Sequence, residues 1–196
     1  MDVVSHAPMP KGPKILVANH PTTSDPFILL KTTRDRLSVC IKQSIFGIPL
    51  FGTYLKLSGH IPVNLQEGRQ AYDRALKYLN EGVSVLVFIE GDITPMTGVA
   101  LKPRTGAVRL AYASGAPIIP IGIGIQKKNI HYIDHTIRGK YEQGLWYFRG
   151  RYALTIGKPL HVTGNIEDRS RVRFMTQYIM NTITKLATAS ANRVTV

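Results

Sequence analysis

The stretch KILVANHPTTSDP, residues 14–26, carries the reading of the fold. Lys14–Ala18 is a short apolar run, long enough for a buried strand and too short for a helix. Asn19 to Ser24 is polar and turn-like. Ser24-Asp25-Pro26 is a helix start, a capping residue followed by proline at the first helical position, and the helix runs to about Thr33. The same alternation recurs outward from this point. Leu37–Ile41 is a second strand. Ser44–Lys56 is apolar but broken by Gly47, Pro49 and Gly52, so it reads as a loop with short helical turns. Gln66–Leu79 sets Ala71, Ala75, Leu76 and Leu79 on one helical face. Val83–Phe88 is the clearest buried strand, and a loop rich in Gly, Thr and Pro follows it. Thr105–Ala113 is a helix with Ala107, Leu110 and Ala111 inward. Pro117–Ile123 is strand-like, and its two prolines point to an edge or an interrupted ladder. Residues 126–150 take no assignment. Tyr152–Ile156 is a late strand, and Ile166–Ala187 is a long helix with Val172, Met175, Ile179, Ile183 and Leu186 at helical spacing. Strands alternating with helices predict an α/β domain, a mixed β-sheet covered by helices. With no repeat and no linker, residues 1–196 read as one domain, the motif-bearing core spanning about 14–160 and the terminal helix about 166–187.

Composition narrows the function. At 196 residues with 44% hydrophobic and 19% charged residues, the chain is neither disordered, collagenous nor a coiled coil. Its single cysteine, Cys40, excludes an intrachain disulfide and a multi-cysteine zinc cluster. No apolar run reaches the roughly 20 residues of a spanning helix. MDVVSHAPMP lacks the basic and apolar regions of a signal peptide. The 25 Lys and Arg against 12 Asp and Glu give a net charge of +13, which draws phosphate-bearing partners. No acidic residue lies between Asp92 and Asp134, a stretch that holds Lys102, Arg104, Arg109, Lys127 and Lys128. No helix-turn-helix, RNP aromatic pair, zinc finger or basic tail is present, so nucleic acid is not the expected partner.

Three motifs carry chemistry. In Asn19-His20-Pro21-Thr22-Thr23-Ser24-Asp25, four residues separate His20 from Asp25. A neutral imidazole can take a proton from a hydroxyl, and a carboxylate on its other nitrogen fixes tautomer and orientation. No nucleophile of the protein is needed if the substrate brings the hydroxyl. The structural alternative is that Asp25 merely caps the helix. The second motif, Phe88-Ile89-Glu90-Gly91-Asp92, ends the best strand, and Gly91 would let backbone approach a ligand closely. The third, Ala116-Pro117-Ile118-Ile119-Pro120-Ile121, reads as structural. Cys40, in a strand, reads as a small buried hydrophobe. His131 and His135 are spaced to share a helical face, but HYIDH lacks the HExxH pattern, and no metal is expected.

Together these blocks resemble the glycerolipid acyltransferase family, which includes the 1-acylglycerol-3-phosphate acyltransferases. NHPTTSD resembles the family's NHx4D block. Lys42 to Gly52, continuing through Gly59-His60-Ile61-Pro62-Val63-Asn64, resembles the second; FIEGD resembles FPEGT; APIIPI resembles the fourth. The resemblance implies that His20 is the general base, that Asp25 orients it, and that acyl transfer proceeds directly from a thioester without an acyl-enzyme. Glu90 and Gly91 would bind the acceptor; apart from the resemblance, Lys42, Arg69, Lys102 and Arg104 are the cations that could substitute in space as phosphate ligands, and of these Lys42, Lys102 and Arg104 are taken as substrate-binding residues. The donor would be acyl-CoA or acyl-acyl carrier protein as co-substrate, with no other cofactor. The acceptor would be a lysophospholipid such as 1-acylglycerol-3-phosphate, and the partner surface an anionic membrane. The expected location is cytoplasmic, peripheral on the inner membrane face. Leu65 and Ile93 stand where relatives with phosphate-bearing acceptors carry arginine, and Asp92 and Ile89 replace Thr and Pro of FPEGT. A phosphate-poor acceptor, for example an amino-acid lipid, is therefore the alternative within the family, and a non-catalytic basic lipid-binding protein the alternative outside it. Ile45–Leu57 and Trp146–Arg151 are the two candidate membrane contacts.

Overall fold

Alternation along the strands sorts their side chains onto two faces of one sheet. The structure is a computed structural model that describes residues 1–33, 35–64, 66–93, 101–137 and 139–195, with backbone alone at 135, 137, 140 and 142. Leu65 and most of the loop after FIEGD lie outside the described residues. The strands in chain order are β1 (Asp2–Ser5), β2 (Ile15–Ala18), β3 (Leu37–Lys42), β4 (Ile61–Val63), β5 (Ser84–Phe88), β6 (Ile118–Ile125), β7 (Ile130–Ile137), β8 (Lys140–Tyr147) and β9 (Tyr152–Ile156). Seven of them form a sheet in the order β1-β9-β6-β2-β5-β3-β4, while β7 and β8 form a separate antiparallel hairpin. β6, β2, β5, β3 and β4 run parallel; β9 is antiparallel to β6, and β1 is parallel to β9. The expected mixed sheet covered by helices is the observed one.

The helices are α1 (Asp25–Leu29), α2 (Phe51–Leu57), α3 (Gly68–Asn80), α4 (Gly106–Ser114) and α5 (Arg169–Thr195). On one face Ile15, Val17 and Val85 pack with Ala71, Ala75 and Leu79 of α3, with Ala107, Leu110 and Ala111 of α4, and with Val172, Ile179 and Ile183 of α5. On the other, Leu16, Leu86, Ile119, Ile121, Ile123 and Leu154 form a second core with Leu29 of α1. α5 extends beyond the predicted 166–187 because β6 leaves a track for it. A Cβ on Gly122 would lie 2.1 Å from the Ala187 nitrogen, and one on Gly124 would lie 2.3 Å from that of Ala191. Ser190 Oγ donates to the Gly122 carbonyl at 2.8 Å, and Arg193 Nη2 donates to the Leu154 carbonyl at 2.8 Å.

Two expectations are corrected. β6 is an interior strand, not an edge, because Pro120 falls where its missing N–H costs little. The Pro120 carbonyl accepts from Gly157 N–H at 2.8 Å, so its nitrogen points the same way, to the place where β9 has just ended. His131 and His135 lie on strand β7 rather than on a helix. Four residues of strand separate their backbones by about 13 Å, too far for the shared helical face.

Candidate active site

The parallel strands β2, β3, β4 and β5 all end at one edge of the sheet, the edge where open α/β sheets place ligands. The segments that follow them bring the sequence motifs together. After β2, Asn19 continues the ladder with its side chain: its amide donates to the Ile123 carbonyl at 3.1 Å and accepts from Ile123 N–H at 2.8 Å. This fixes the backbone from which His20 projects.

Asp25 does not cap α1; no side-chain cap is formed there. It is fully buried and its carboxylate is satisfied four times. Oδ2 accepts from His20 Nδ1 at 3.0 Å and from Thr22 N–H at 2.7 Å. Oδ1 accepts from the Thr22 hydroxyl at 2.6 Å and from the Tyr152 hydroxyl at 2.8 Å. Because a carboxylate only accepts, the His20 proton sits on Nδ1 and the neutral ring keeps its Nε2 lone pair free. His20 also stacks on Phe88 of β5, ring centroids 3.8 Å apart and 12° from parallel. The ring is thus held by a charge on one edge and an aromatic on one face. Burial beside Asp25 pushes the Tyr152 phenol well above its ordinary value, so Tyr152 remains a donor.

His20 faces a cavity of about 1100 Å³, slightly above the range of ordinary ligand sites. The cavity crosses the sheet edge from His20 and Phe88 to the region beneath α3 and α4, where Cys40, Val63, Ala71, Ala75, Val87 and Leu110 line it. Burial pushes the Cys40 thiol up to about 12, which makes it apolar lining rather than a nucleophile. Three of the predicted substrate-binding residues, Lys42, Gly91 and Arg104, line the cavity, as do Asp92 and Ile93. Gly91 adopts φ +75°, a left-handed conformation that favours glycine. Arg104 N–H donates to the Ile89 carbonyl at 2.8 Å, which ties Arg104 to the third block. Glu90 is 4% exposed and is not among the lining residues; Lys102 is exposed and also off the lining. Among the described residues, no group of three or more His, Cys, Asp or Glu could hold a metal ion.

Two other parts of this site carry no catalytic motif in the sequence. From sequence alone Tyr152 is only the start of a strand. Residues 126–150 hold the β7–β8 hairpin, which contributes Thr136, Gln143 and Trp146 to the cavity wall, and Phe148 just after β8 adds to it. β8 docks on the NHPTTSD loop itself. Thr23 N–H donates to the Leu145 carbonyl at 2.6 Å, Leu145 N–H donates to Thr23 Oγ1 at 3.1 Å, and Ser24 Oγ bonds both the carbonyl and the N–H of Tyr147 at 2.9 and 3.1 Å. The only available signal was the row of aromatics Trp146, Tyr147 and Phe148.

The acyltransferase family model matches residues 2–124. The 1-acyl-sn-glycerol-3-phosphate acyltransferase of Saccharomyces cerevisiae is 29% identical over 128 residues, covering 61% of this chain and 41% of the yeast protein. The enzyme of that name from Escherichia coli is 28% identical over 125 residues, covering 61% of this chain and 50% of its own. The chain spans about half the length of the curated relatives it matches. Among solved structures, the 1-acyl-sn-glycerophosphate acyltransferase of Thermotoga maritima shares the fold, with a TM-score of 0.67 at 21% identity over 94% of this chain and 70% of that one.

Proposed function

The chain belongs to the acyltransferase family, and from that premise we propose that it transfers a fatty acyl chain from a thioester to a lysolipid hydroxyl. The donor in this reading is acyl-CoA or acyl-acyl carrier protein, and the acceptor is 1-acylglycerol-3-phosphate, at an anionic membrane surface. The observation that carries the reading is the His20 Nδ1–Asp25 Oδ2 contact at 3.0 Å, with Asp25 fully buried and His20 lining a large cavity.

In this mechanism Nε2 of neutral His20 takes the proton of the acceptor hydroxyl as its oxygen attacks the thioester carbonyl. The new C–O bond gives a tetrahedral adduct. Its collapse breaks the C–S bond, and the His20 imidazolium returns the proton to the departing thiolate. The products are an ester and a free thiol, with no acyl-enzyme and no call on a metal. Asp25 holds the tautomer and offsets the charge that develops on the ring. Lys42 and Arg104 supply charge for phosphate groups on acceptor or donor.

A second acceptor class is favoured by a specific observation. Asp92 and Ile93 line the same cavity, and Ile93 brings no charge where a phosphate would need one. A phosphate-poor acceptor, such as an amino-acid lipid, fits that lining with unchanged His20 chemistry.

The test is thioester-dependent acyl transfer by the purified protein. Acyl-CoA and acyl carrier protein thioester are supplied separately, against lysophosphatidate and phosphate-free lysolipids. His20→Ala is expected to lower turnover by about 10²–10⁴-fold with unchanged thermal unfolding. Near-normal turnover in that variant removes the mechanism. Lipid binding without transfer to any acceptor favours the non-catalytic alternative.

A further inference from the structure

Helix α2 turns its apolar side to solvent. Tyr54 and Leu57 stand at i and i+3 on the helix and so share one stripe, Leu50 immediately precedes the helix, and the three are 55%, 84% and 88% exposed. The opposite side of the helix is fixed in place. Leu55 is fully buried, and a Cβ on Gly52 would meet the Phe46 carbonyl oxygen at 2.0 Å, so glycine alone permits this seating. Leu50 itself holds φ +62°, alone among the described non-glycine residues in having a positive φ. That conformation is sterically unfavourable for leucine. Strain of this kind persists where surrounding structure imposes it and often marks function.

The stripe is continuous with the cavity. Tyr54 lies 6.3 Å from Phe51, and Phe51 lies 6.1 Å from Phe27, ring centre to ring centre. Phe27 and Phe51 both line the cavity that contains His20. The charge carried by the chain segment that contains α2 has one sign. From Arg36 to Gln66 the chain contains no acidic residue, and Lys42 and Lys56, at the cavity and on α2, are exposed.

We infer that α2 is the element by which the protein lies on an anionic lipid bilayer, with Leu50, Tyr54 and Leu57 entering the boundary between headgroups and acyl chains. The inference deepens the acyl-transfer reading and rests on it, because a lysolipid acceptor resides in such a surface. An apolar stripe flanked by lysines is what an interfacial helix requires. A nucleic acid would leave the three apolar side chains without a partner. The Phe51–Phe27 row then gives an acyl chain an apolar route from bilayer to cavity.

The experiment is flotation with vesicles made of equal parts phosphatidylglycerol and phosphatidylcholine, compared with phosphatidylcholine alone. The full chain is compared with a Leu50→Gly, Leu57→Ser double variant. Glycine suits the φ at position 50, neither residue lines the cavity, and thermal unfolding checks the fold. The expected result is preferential binding of wild type to the anionic vesicles and a loss of about tenfold or more in the variant. Turnover of a short-chain lysolipid, kept below its aggregation concentration, stays unchanged. Equal vesicle binding by variant and wild type overturns the assignment of this face and leaves the acyl-transfer reading standing. So does a wild type that acylates the soluble lysolipid yet does not float. If the variant instead loses self-association in sedimentation velocity, the stripe faces a second copy and the inference falls. Failure of wild type to acylate any lysolipid removes the underlying reading as well.

Discussion

At the scale of single residues, the site turns on how Asp25 is held. Four donors converge on one buried carboxylate, and two of them come from Thr22. The fourth, Tyr152, is 127 residues away in sequence and lies beyond the span matched by the family model. Tyr152→Phe keeps the ring, which packs 5.1 Å from Tyr147, and deletes one hydrogen bond to the carboxylate. Such bonds are worth about 1.5–3 kcal/mol. With three donors remaining, the expected cost is about tenfold in kcat, or about 1.4 kcal/mol, with acceptor KM unchanged. Asp25→Asn is expected to cost more, about 10³–10⁴-fold in kcat, because an amide can donate to Nδ1 and so favours the wrong tautomer. Steady-state kinetics on both variants check the ranking. His20 and Asp25 were legible in the sequence because their chemistry lies within six consecutive residues. Tyr152 was not, because nothing local marks a strand tyrosine as a partner for a distant carboxylate.

At the scale of elements, strands buried on both faces were legible as apolar runs, and the helices as periodic ones. The short edge strands β1 and β4 gave too little pattern. The hairpin was obscured because both of its faces contribute to the cavity lining, Thr136 and Gln143 from one and Ile133 and Trp146 from the other, so no simple apolar–polar alternation marks it. The seating of α5 on β6 depends on two glycines whose role only the tertiary contact reveals. Gly122→Ala would force the helix off the strand and is expected to cost about 1–3 kcal/mol in urea unfolding. The junction of β3 with β4 has its own pH signature. Val39 N–H donates to His60 Nδ1 at 3.2 Å, and burial pushes the His60 imidazole below its ordinary value. On acidification the unfolded chain binds that proton first. The stability His60 contributes is therefore full above about pH 6.5 and declines as pH falls toward the depressed folded value. Urea midpoints measured from pH 7.5 to 5 are expected to fall less steeply in His60→Gln than in wild type.

At the scale of the whole molecule, a net charge of +13 favours anionic molecules in general but does not distinguish a general field from a built subsite. The fold separates the two. Lys42 comes from the end of β3 and Arg104 from the turn before α4, and the sheet edge brings both to the cavity that holds His20. Lys158 and Lys185 are exposed and are not among the cavity lining. Replacing either pair by alanine removes the same total charge. If the phosphate of acceptor or donor is recognised locally, Lys42→Ala with Arg104→Ala loses two charge-assisted contacts. At about 1.5–3 kcal/mol each, the pair would cost at least about 10²-fold in kcat/KM for lysophosphatidate. Lys158→Ala with Lys185→Ala is expected to change it less than about threefold, through encounter rate alone, and that small effect should vanish as salt rises. Ile93→Arg adds a cation to the same lining and is expected to raise kcat/KM for lysophosphatidate over a phosphate-free lysolipid. Equal losses from the two alanine pairs would assign recognition to the overall field. A large loss only in the cavity pair, on phosphate acceptors and phosphate-free ones alike, would place the cations on the donor and leave the acceptor to Asp92 and Ile93.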